Sequence, residues 1–287
     1  MATTDTDIKR SDIKKIALAY SGGLDTSIII PWLKERYPGV DVVAVCAHVG
    51  QSDDLSGLEA RAAESGAVKL ILRDVRREFV EDYLFPMLRA GAIYEGKYLL
   101  GTSAARPLQA KVQVEAARAE GADALAHGCT GKGNDQVRFE LAYRALAPDL
   151  AIIAPWRLWD IRSREDAIDY AESRGIDLAG ISRVNIYSRD DNVWHMSHEG
   201  GDLEDASLRP QEALFQRSVS PKEAPDQEQE VTVEFARGIP VALDDVRYSS
   251  VELVQRLNKL GASHGIGRAD IVENRYVGMK SRGCYET

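Results

Sequence analysis

The chain has 287 residues, with 36 Lys or Arg against 45 Asp or Glu and a net charge of −9. That acidic surplus argues against non-specific nucleic-acid binding, which needs a cationic footprint. Apolar residues at 44% and charged residues at 28% fit a soluble globular protein with a sizeable core and room for two domains. The three cysteines, Cys46, Cys129 and Cys284, are too few and too far apart for a disulfide framework or a zinc site, so a reducing cytoplasm is expected. The stretch from Met1 to Lys15 is polar and does not read as a signal peptide, and no apolar run is long enough to span a bilayer. The histidines at 48, 127, 195, 198 and 264 show no metal-ligand spacing, and no metal site of the protein's own is expected.

In chain order, short apolar runs alternate with helical patterns. Strands are predicted at Lys15–Tyr20, Val40–Val49, Val68–Leu72, Ala124–Gly128 and Ala151–Ala154, mostly continuously apolar, as for strands buried on both faces of a parallel sheet. Helices are predicted at Asp25–Arg36, Gly57–Ser65, Arg76–Ala90, Ala104–Glu120, Gln136–Leu146 and Ser163–Arg174, with Ser103 as an N-cap and Gly121 and Gly175 as stops. The alternation predicts a doubly wound α/β domain over residues 1–178, with ligands beyond the carboxyl ends of its strands. After Leu178 the alternation ends. Residues 187–201 are polar, aromatic and glycine-rich, and a polar linker runs from Arg209 to about Gln229. A hairpin follows at Glu230–Ala236 and Ile239–Leu243, then a helix at Ser250–Leu260 capped by Ser249 or Ser250, and a strand at Ile271–Met279. Residues 179–287 are thus expected to form a smaller α+β domain.

Three strand ends carry the candidate chemistry. The first opens into Ser21-Gly22-Gly23-Leu24-Asp25-Thr26-Ser27, where a tight glycine turn meets the N-terminus of a helix and makes an anion site. The duller reading is an ordinary strand-to-helix turn capped by Asp or Ser; the hydroxyls flanking the glycines favour phosphate. The GxxxxGK[ST] phosphate loop with its lysine is absent. The second strand ends in Ala47-His48-Val49-Gly50-Gln51. The fourth opens into His127-Gly128-Cys129-Thr130-Gly131-Lys132-Gly133-Asn134-Asp135, with amides, a hydroxyl, a lysine and a carboxylate suited to a nucleotide and a polar small molecule. All three are expected to line one crevice.

The Ser21–Ser27 loop resembles that of the ATP-pyrophosphatase (HUP-like) superfamily. Together with residues 127–140, Tyr98–Ser103, Ala105-Arg106-Pro107, Ala154–Arg157, Trp194–Gly201, Ile271–Arg275 and Gly278–Thr287, the resemblance narrows to the argininosuccinate synthase family and runs from about Lys15 to the last residue. It implies a ligase that condenses citrulline with aspartate at the expense of ATP, giving argininosuccinate, AMP and pyrophosphate through a citrullyl-adenylate. Such chemistry depends on orientation and on charge stabilisation at the phosphates rather than on a protein nucleophile.

Carried over by motif, ATP is expected along Ala19, Tyr20, Ser21, Gly22, Gly23, Leu24, Asp25, Thr26 and Ser27, against Ala47 and near Gly128, with Mg²⁺ on the phosphates although no dedicated ligand set is visible. Aspartate falls to Thr130, Asn134 and Asp135, and citrulline to Tyr98, Ser103, Asn134, Arg138, Ser188, Ser197, Glu273 and Tyr285. Asp25, Lys132 and Asp135 are the charged residues expected to bear on catalysis; no general base stands out, and the aspartate amine can lose its proton to a phosphate oxygen. Taken singly, Tyr98 and Trp194 also read as core aromatics, Ser197 as a helix cap and Glu273 as a solvated strand residue. Asn185-Ile186 departs from the family's usual lead-in to Ser188.

Relatives continue past this point into further strand and a C-terminal helix that reaches neighbouring subunits. The second domain is therefore expected to be incomplete, and the family's tetramer to be weakened. Competing readings are an ATP-binding homologue without turnover, acting as a sensor or scaffold, or another ATP-pyrophosphatase such as a tRNA sulfur transferase. The latter needs a paired or exposed catalytic cysteine and usually a basic surface; Cys129 sits in the right region, but no resolving partner is evident and the net charge is acidic. An amide-forming relative would need a glutaminase domain, for which no room remains.

Overall fold

The computed structural model describes residues 12–52, 54–130, 133–161, 163–176 and 187–287. In chain order they form β1 (Lys15–Ala19), α1 (Leu24–Arg36), β2 (Asp41–His48), α2 (Leu58–Glu64) and β3 (Lys69–Asp74). A helical stretch follows, α3 (Arg76–Glu78), a π-helical segment Phe79–Leu84 and α4 (Phe85–Ala90), and then α5 (Gly101–Glu120), β4 (Ala124–Ala126), α6 (Asn134–Leu146), β5 (Ala151–Ile153) and α7 (Arg164–Glu172). The remainder comprises β6 (Ser188–Asp191), β7 (Met196–Glu199), β8 (Val233–Ala236), β9 (Ile239–Leu243), β10 (Val246–Arg247), α8 (Ser250–Ser263), β11 (Arg268–Asn274) and β12 (Lys280–Glu286), with short 3₁₀ turns between.

Two compact units result, one from Met1–His48, Asp53–Arg73 and Arg106–Ser182, the other from Val49–Ser52, Asp74–Ala105 and Arg183–Thr287. Two segments ahead of residue 178, Val49–Ser52 and Asp74–Ala105, thus group with the second unit.

The first unit holds a five-stranded sheet in the order β3-β2-β1-β4-β5, with β1 parallel to β2 and β4, and β4 parallel to β5. This is the doubly wound α/β arrangement expected from the continuous apolar strands. Ile16, Leu18, Val42, Ala44, Ala124, Ala126 and Ile153 fill its core with Ile29, Ile30 and Leu33 of α1. β3 is the exception: as an edge strand it leaves Leu72 exposed. Because β1 lies between β2 and β4, chain connections leave it in opposite directions, and crevices form at such switch points. The buried Gln113 of α5 ties that point together. Its amide nitrogen donates to the carbonyls of Ala17 in β1 (2.8 Å) and Ala126 in β4 (2.9 Å), and its oxygen accepts from the Tyr143 hydroxyl of α6. α5 starts at Gly101, so Ser103 lies inside its first turn instead of capping it. Gly121 and Gly175 end helices in the left-handed conformation, as expected.

The second unit holds a four-stranded sheet in the order β11-β12-β7-β6, antiparallel throughout, and a three-stranded sheet β10-β9-β8. The single strand expected at Ile271–Met279 is instead the end of β11 and a tight turn, closed by Arg275 donating to the Met279 carbonyl, before β12. α8 is capped by the Ser249 hydroxyl, which accepts from the Glu252 amide at 3.3 Å. Among the described residues no helix is long and apolar enough to cross a membrane.

Candidate active site

In the first unit, β1 runs out at Ala19 and α1 begins at Leu24, with Gly23 at the N-cap and no side chain capping it. The capping carboxylate or hydroxyl of an ordinary turn is therefore not what is built. Helix N-termini leave N–H groups without intrahelical partners and carry a partial positive charge, so the 21–27 segment is shaped for an anion. Gly22 has φ +80°, and a Cβ there would collide with Leu58 of α2. Hydroxyls brace the turn. Ser21 and Thr26 meet at 3.1 Å, the Gly23 amide donates to Ser21 Oγ at 3.3 Å, and the Thr26 hydroxyl donates to the Gly23 carbonyl at 3.2 Å. The Tyr20 hydroxyl lies 3.1 Å from Ser27 Oγ. Asp25 is exposed in the first turn of α1, and Ala47 is buried near the end of β2. The guanidinium of Arg61 lies 3.3 Å from the Cβ position of Gly22, bringing a cation to the loop that no motif indicated.

The loop after β4 meets the first one. A Cβ on Gly128 would stand 3.2 Å from Ile29 and 3.3 Å from Thr26, so glycine lets β4 exit tight against the first turn of α1 without displacing either side chain. The Gly133 amide donates to the Thr130 carbonyl at 3.3 Å just ahead of α6, whose first residues are Asn134 and Asp135. The Asp135 carboxylate is gripped from two sides, by Arg106 Nε at 2.9 Å and by Arg138 Nη1 at 2.7 Å. Burial pushes that carboxyl up, but the two guanidiniums outweigh burial and hold it below the ordinary aspartate range. Arg106 also donates to Gln109 at 2.8 Å. Sequence reasoning placed Asp135 and Arg138 at the site but gave Arg106 no role. Its spacing of three residues from Ser103 on one helix was the available signal. Lys132, expected to bear on catalysis, lies outside the described residues.

The second unit gathers the other expected citrulline residues on one sheet face. Ser197 of β7 pairs with Tyr285 of β12, Tyr285 with Ala269 of β11, and Asp190 of β6 with Ser197. Side chains alternate along a strand, so Ser188, Ser197, Tyr285 and Glu273 all share that face. Tyr98 packs on it against Ile271 and Tyr285, the two tyrosine rings 4.9 Å apart. The Tyr98 hydroxyl accepts from the Thr102 amide at 3.2 Å, fixing the start of α5 and Ser103 beside it. Gly283 leaves room for the Tyr285 ring, since a Cβ there would come within 2.7 Å of the phenol oxygen. Burial, then the charges of Glu273 and Glu199, push the Tyr285 phenol far above its ordinary range, so it remains a neutral hydroxyl. Of the eight residues assigned to citrulline, Asn134 and Arg138 belong to the first unit and Ser188 is exposed. Tyr98, Ser197, Glu273 and Tyr285 are buried.

On the opposite face of β12, the buried Glu286 holds a loop. Its carboxylate accepts from the amides of Gln216 (2.9 Å), Arg217 (2.9 Å) and Ser218 (2.8 Å), and from the Ser218 hydroxyl (2.7 Å). His198 Nε2 lies 2.9 Å away. Burial raises the Glu286 carboxyl, yet these donors together bring it down to about 2. Among the described residues no group of three or more His, Cys, Asp or Glu could hold a metal ion.

The chain matches the family model described as "Arginosuccinate synthase N-terminal HUP domain" over residues 15–177, and that described as "Arginosuccinate synthase C-terminal domain" over 187–287. It is 59% identical over 277 residues to the argininosuccinate synthase of Roseiflexus castenholzii, covering 96% of this chain and 69% of that protein. It is 61% identical over 273 residues to that of Pelotomaculum thermopropionicum, covering 95% and 68%. The enzyme of Carboxydothermus hydrogenoformans gives 61% over 274 residues, with 96% and 68% covered. Two family models span residues 15–177 and 187–287, and the relatives are about 60% identical along the matched length, so the chain belongs to the argininosuccinate synthase family of ligases that form C–N bonds.

Proposed function

We propose that the chain condenses L-citrulline with L-aspartate, using ATP and releasing AMP and pyrophosphate, as a step of arginine biosynthesis. The observation that carries this reading is the approach of Gly128 to Thr26, which sets the two glycine loops side by side in one unit. ATP lies along Ala19–Ser27, against Ala47 and Gly128, with the β and γ phosphates on the amides and hydroxyls of the 21–27 turn. The ureido oxygen of citrulline attacks the α-phosphorus, and the bond to pyrophosphate breaks. The aspartate amine then attacks the activated carbon, the C–O bond to AMP breaks, and the amine proton passes to a phosphate oxygen. The chain's part is orientation and charge stabilisation.

Thr130, Asn134 and Asp135 hold aspartate. The geometry at Asp135 refines that role: with both flanks on guanidiniums, it also aims Arg106 and Arg138 and leaves a net positive charge beside the loop. That charge suits a substrate carboxylate. Tyr98, Ser103, Asn134, Arg138, Ser188, Ser197, Glu273 and Tyr285 hold citrulline, with Arg138 for its carboxylate and Glu273 for its ammonium. Mg²⁺ neutralises phosphate charge when bound. Asp25, the one carboxylate of the 21–27 loop, is the residue that would help hold it. A cytoplasmic location and a homotetramer complete the proposal, with no nucleic-acid or membrane partner.

The test is pyrophosphate and AMP release from ATP, citrulline and aspartate. Release that depends on citrulline, and argininosuccinate that depends on aspartate, are expected. ATP binding without citrulline-dependent release would refute the reading.

A further inference from the structure

His127 stands between β4 and Gly128, and no substrate role falls to it. Its ring is fully buried, stacked on Phe139 with centroids 6.0 Å apart and planes 14° from parallel. Nε2 lies 3.2 Å from Glu140 Oε1, and Nδ1 lies 3.2 Å from the backbone nitrogen of Cys129. A backbone N–H only donates, so Nδ1 accepts, and in the neutral ring the proton sits on Nε2, where Glu140 receives it. Arg157 holds the Glu140 carboxylate in turn at 2.7 Å. A relay of contacts therefore runs from the turn after β5, through α6, to the first amides of the loop after β4.

We propose that His127 is a positioning residue of the aspartate site: with its tautomer fixed by Glu140, it holds the Cys129 amide and so sets the backbone course into Thr130. It touches no reacting atom. Because Nδ1 receives a backbone amide, the ring is not free to shuttle a proton, and its work is geometric. The inference rests on the assignment of Thr130, Asn134 and Asp135 to aspartate.

The variants separate the two ring nitrogens. His127→Asn keeps an oxygen near the place of Nδ1 and can still accept from the amide two residues on. His127→Phe keeps the stacking and loses the acceptor. His127→Gln reaches the place of Nε2 but leaves the amide unheld, and replaces the Phe variant if that does not fold. In calorimetric titration of the full chain with L-aspartate, Phe or Gln is expected to weaken binding about five- to tenfold, the worth of one buried hydrogen bond. Asn should stay within about twofold of the unsubstituted protein, and ATP binding should hold in all three. Hydrogen exchange at the Cys129 amide should speed up with Phe or Gln and be restored by Asn. Equal aspartate affinities for Asn and Phe, whatever their melting temperatures, would overturn the inference. Asn134→Ala is the control. If it weakens aspartate binding and His127→Phe does not, this inference alone fails; if Asn134→Ala has no effect, the aspartate assignment fails and takes the inference with it.

Discussion

Asp135→Ala tests the paired guanidiniums most directly. The substitution removes an acceptor held at 2.9 Å by Arg106 and 2.7 Å by Arg138, and leaves two like charges facing each other. The three side chains are 15%, 22% and 30% exposed for Arg106, Arg138 and Asp135, so the charges are partly screened. Hydrogen bonds to charged groups contribute about 1.5–3 kcal/mol each, and stripping one partner from a buried ion pair costs about 3–5 kcal/mol. Partial exposure puts the expected loss near the lower end, about 3 kcal/mol. For a protein of this size that is a fall in Tm of roughly 6–12 °C. The phosphate loop is built on other residues, so ATP affinity is expected to stay within about twofold. Aspartate-dependent turnover is expected to fall at least about a hundredfold, with two cations misaimed and the carboxylate gone. Scanning calorimetry, an ATP titration and pyrophosphate release with varied aspartate measure the three quantities. Lost ATP binding, or an unchanged Tm with an unchanged KM for aspartate, would refute the reasoning. The acid dependence has a definite sign. The folded-state carboxyl titrates below its ordinary 3.8, so its stabilisation is present above that pH and is lost as pH falls through the lower, folded-state value.

Three further outcomes are expected. Gly128→Ala places a methyl group 3.2 Å from Ile29 and 3.3 Å from Thr26, and should raise the KM for ATP about tenfold with the fold intact; an unchanged KM would dissociate that contact from the nucleotide. Tyr285→Phe keeps the stacking on Tyr98 and removes a neutral hydroxyl, so the KM for citrulline should rise about five- to twentyfold while that for ATP stays put. Equal effects on both substrates would count against the citrulline assignment. Glu286 drops from the usual 4.5 to about 2 on folding, which stabilises the protein on the order of 3 kcal/mol above pH 4.5 and is lost as pH falls from there towards 2. Glu286→Gln should therefore flatten the acid limb of the stability curve, and an unaltered acid midpoint would argue that the carboxylate is not what titrates.

The parallel sheet was legible because its strands are continuously apolar and its helices are punctuated by glycines such as Gly121 and Gly175. β6 and β7 were not legible. Ser188-Arg189-Asp190-Asp191 and Met196-Ser197-His198-Glu199 carry no period-2 alternation; β7 is held as a strand by pairing to β12, which is distant in sequence, and β6 by pairing to β7. Val277 and Met279 made residues 271–279 look like one apolar run, although Gly278 at φ +84° turns the chain inside it. At the site, the two glycine loops announced themselves by composition. Arg106 and His127 did not, because an arginine within a helix and a histidine at a strand end look like any other until their partners, Asp135 and Cys129, are placed beside them.

The grip of Glu286 on residues 216–218 has a consequence for how this segment can vary. Three of the five contacts are made with backbone amides, which every amino acid but proline supplies. The side chain at Gln216 can therefore change without loosening the anchor behind Tyr285, whereas that of Arg217 is tied separately to Asp191 and the Asn192 carbonyl, and proline at 216, 217 or 218 is the change the segment should never show. The neighbouring face of β12 is bound by the opposite constraint, since Tyr285 acts through its side chain. One strand thus places a position held mainly by backbone amides directly beside one where the side chain is decisive.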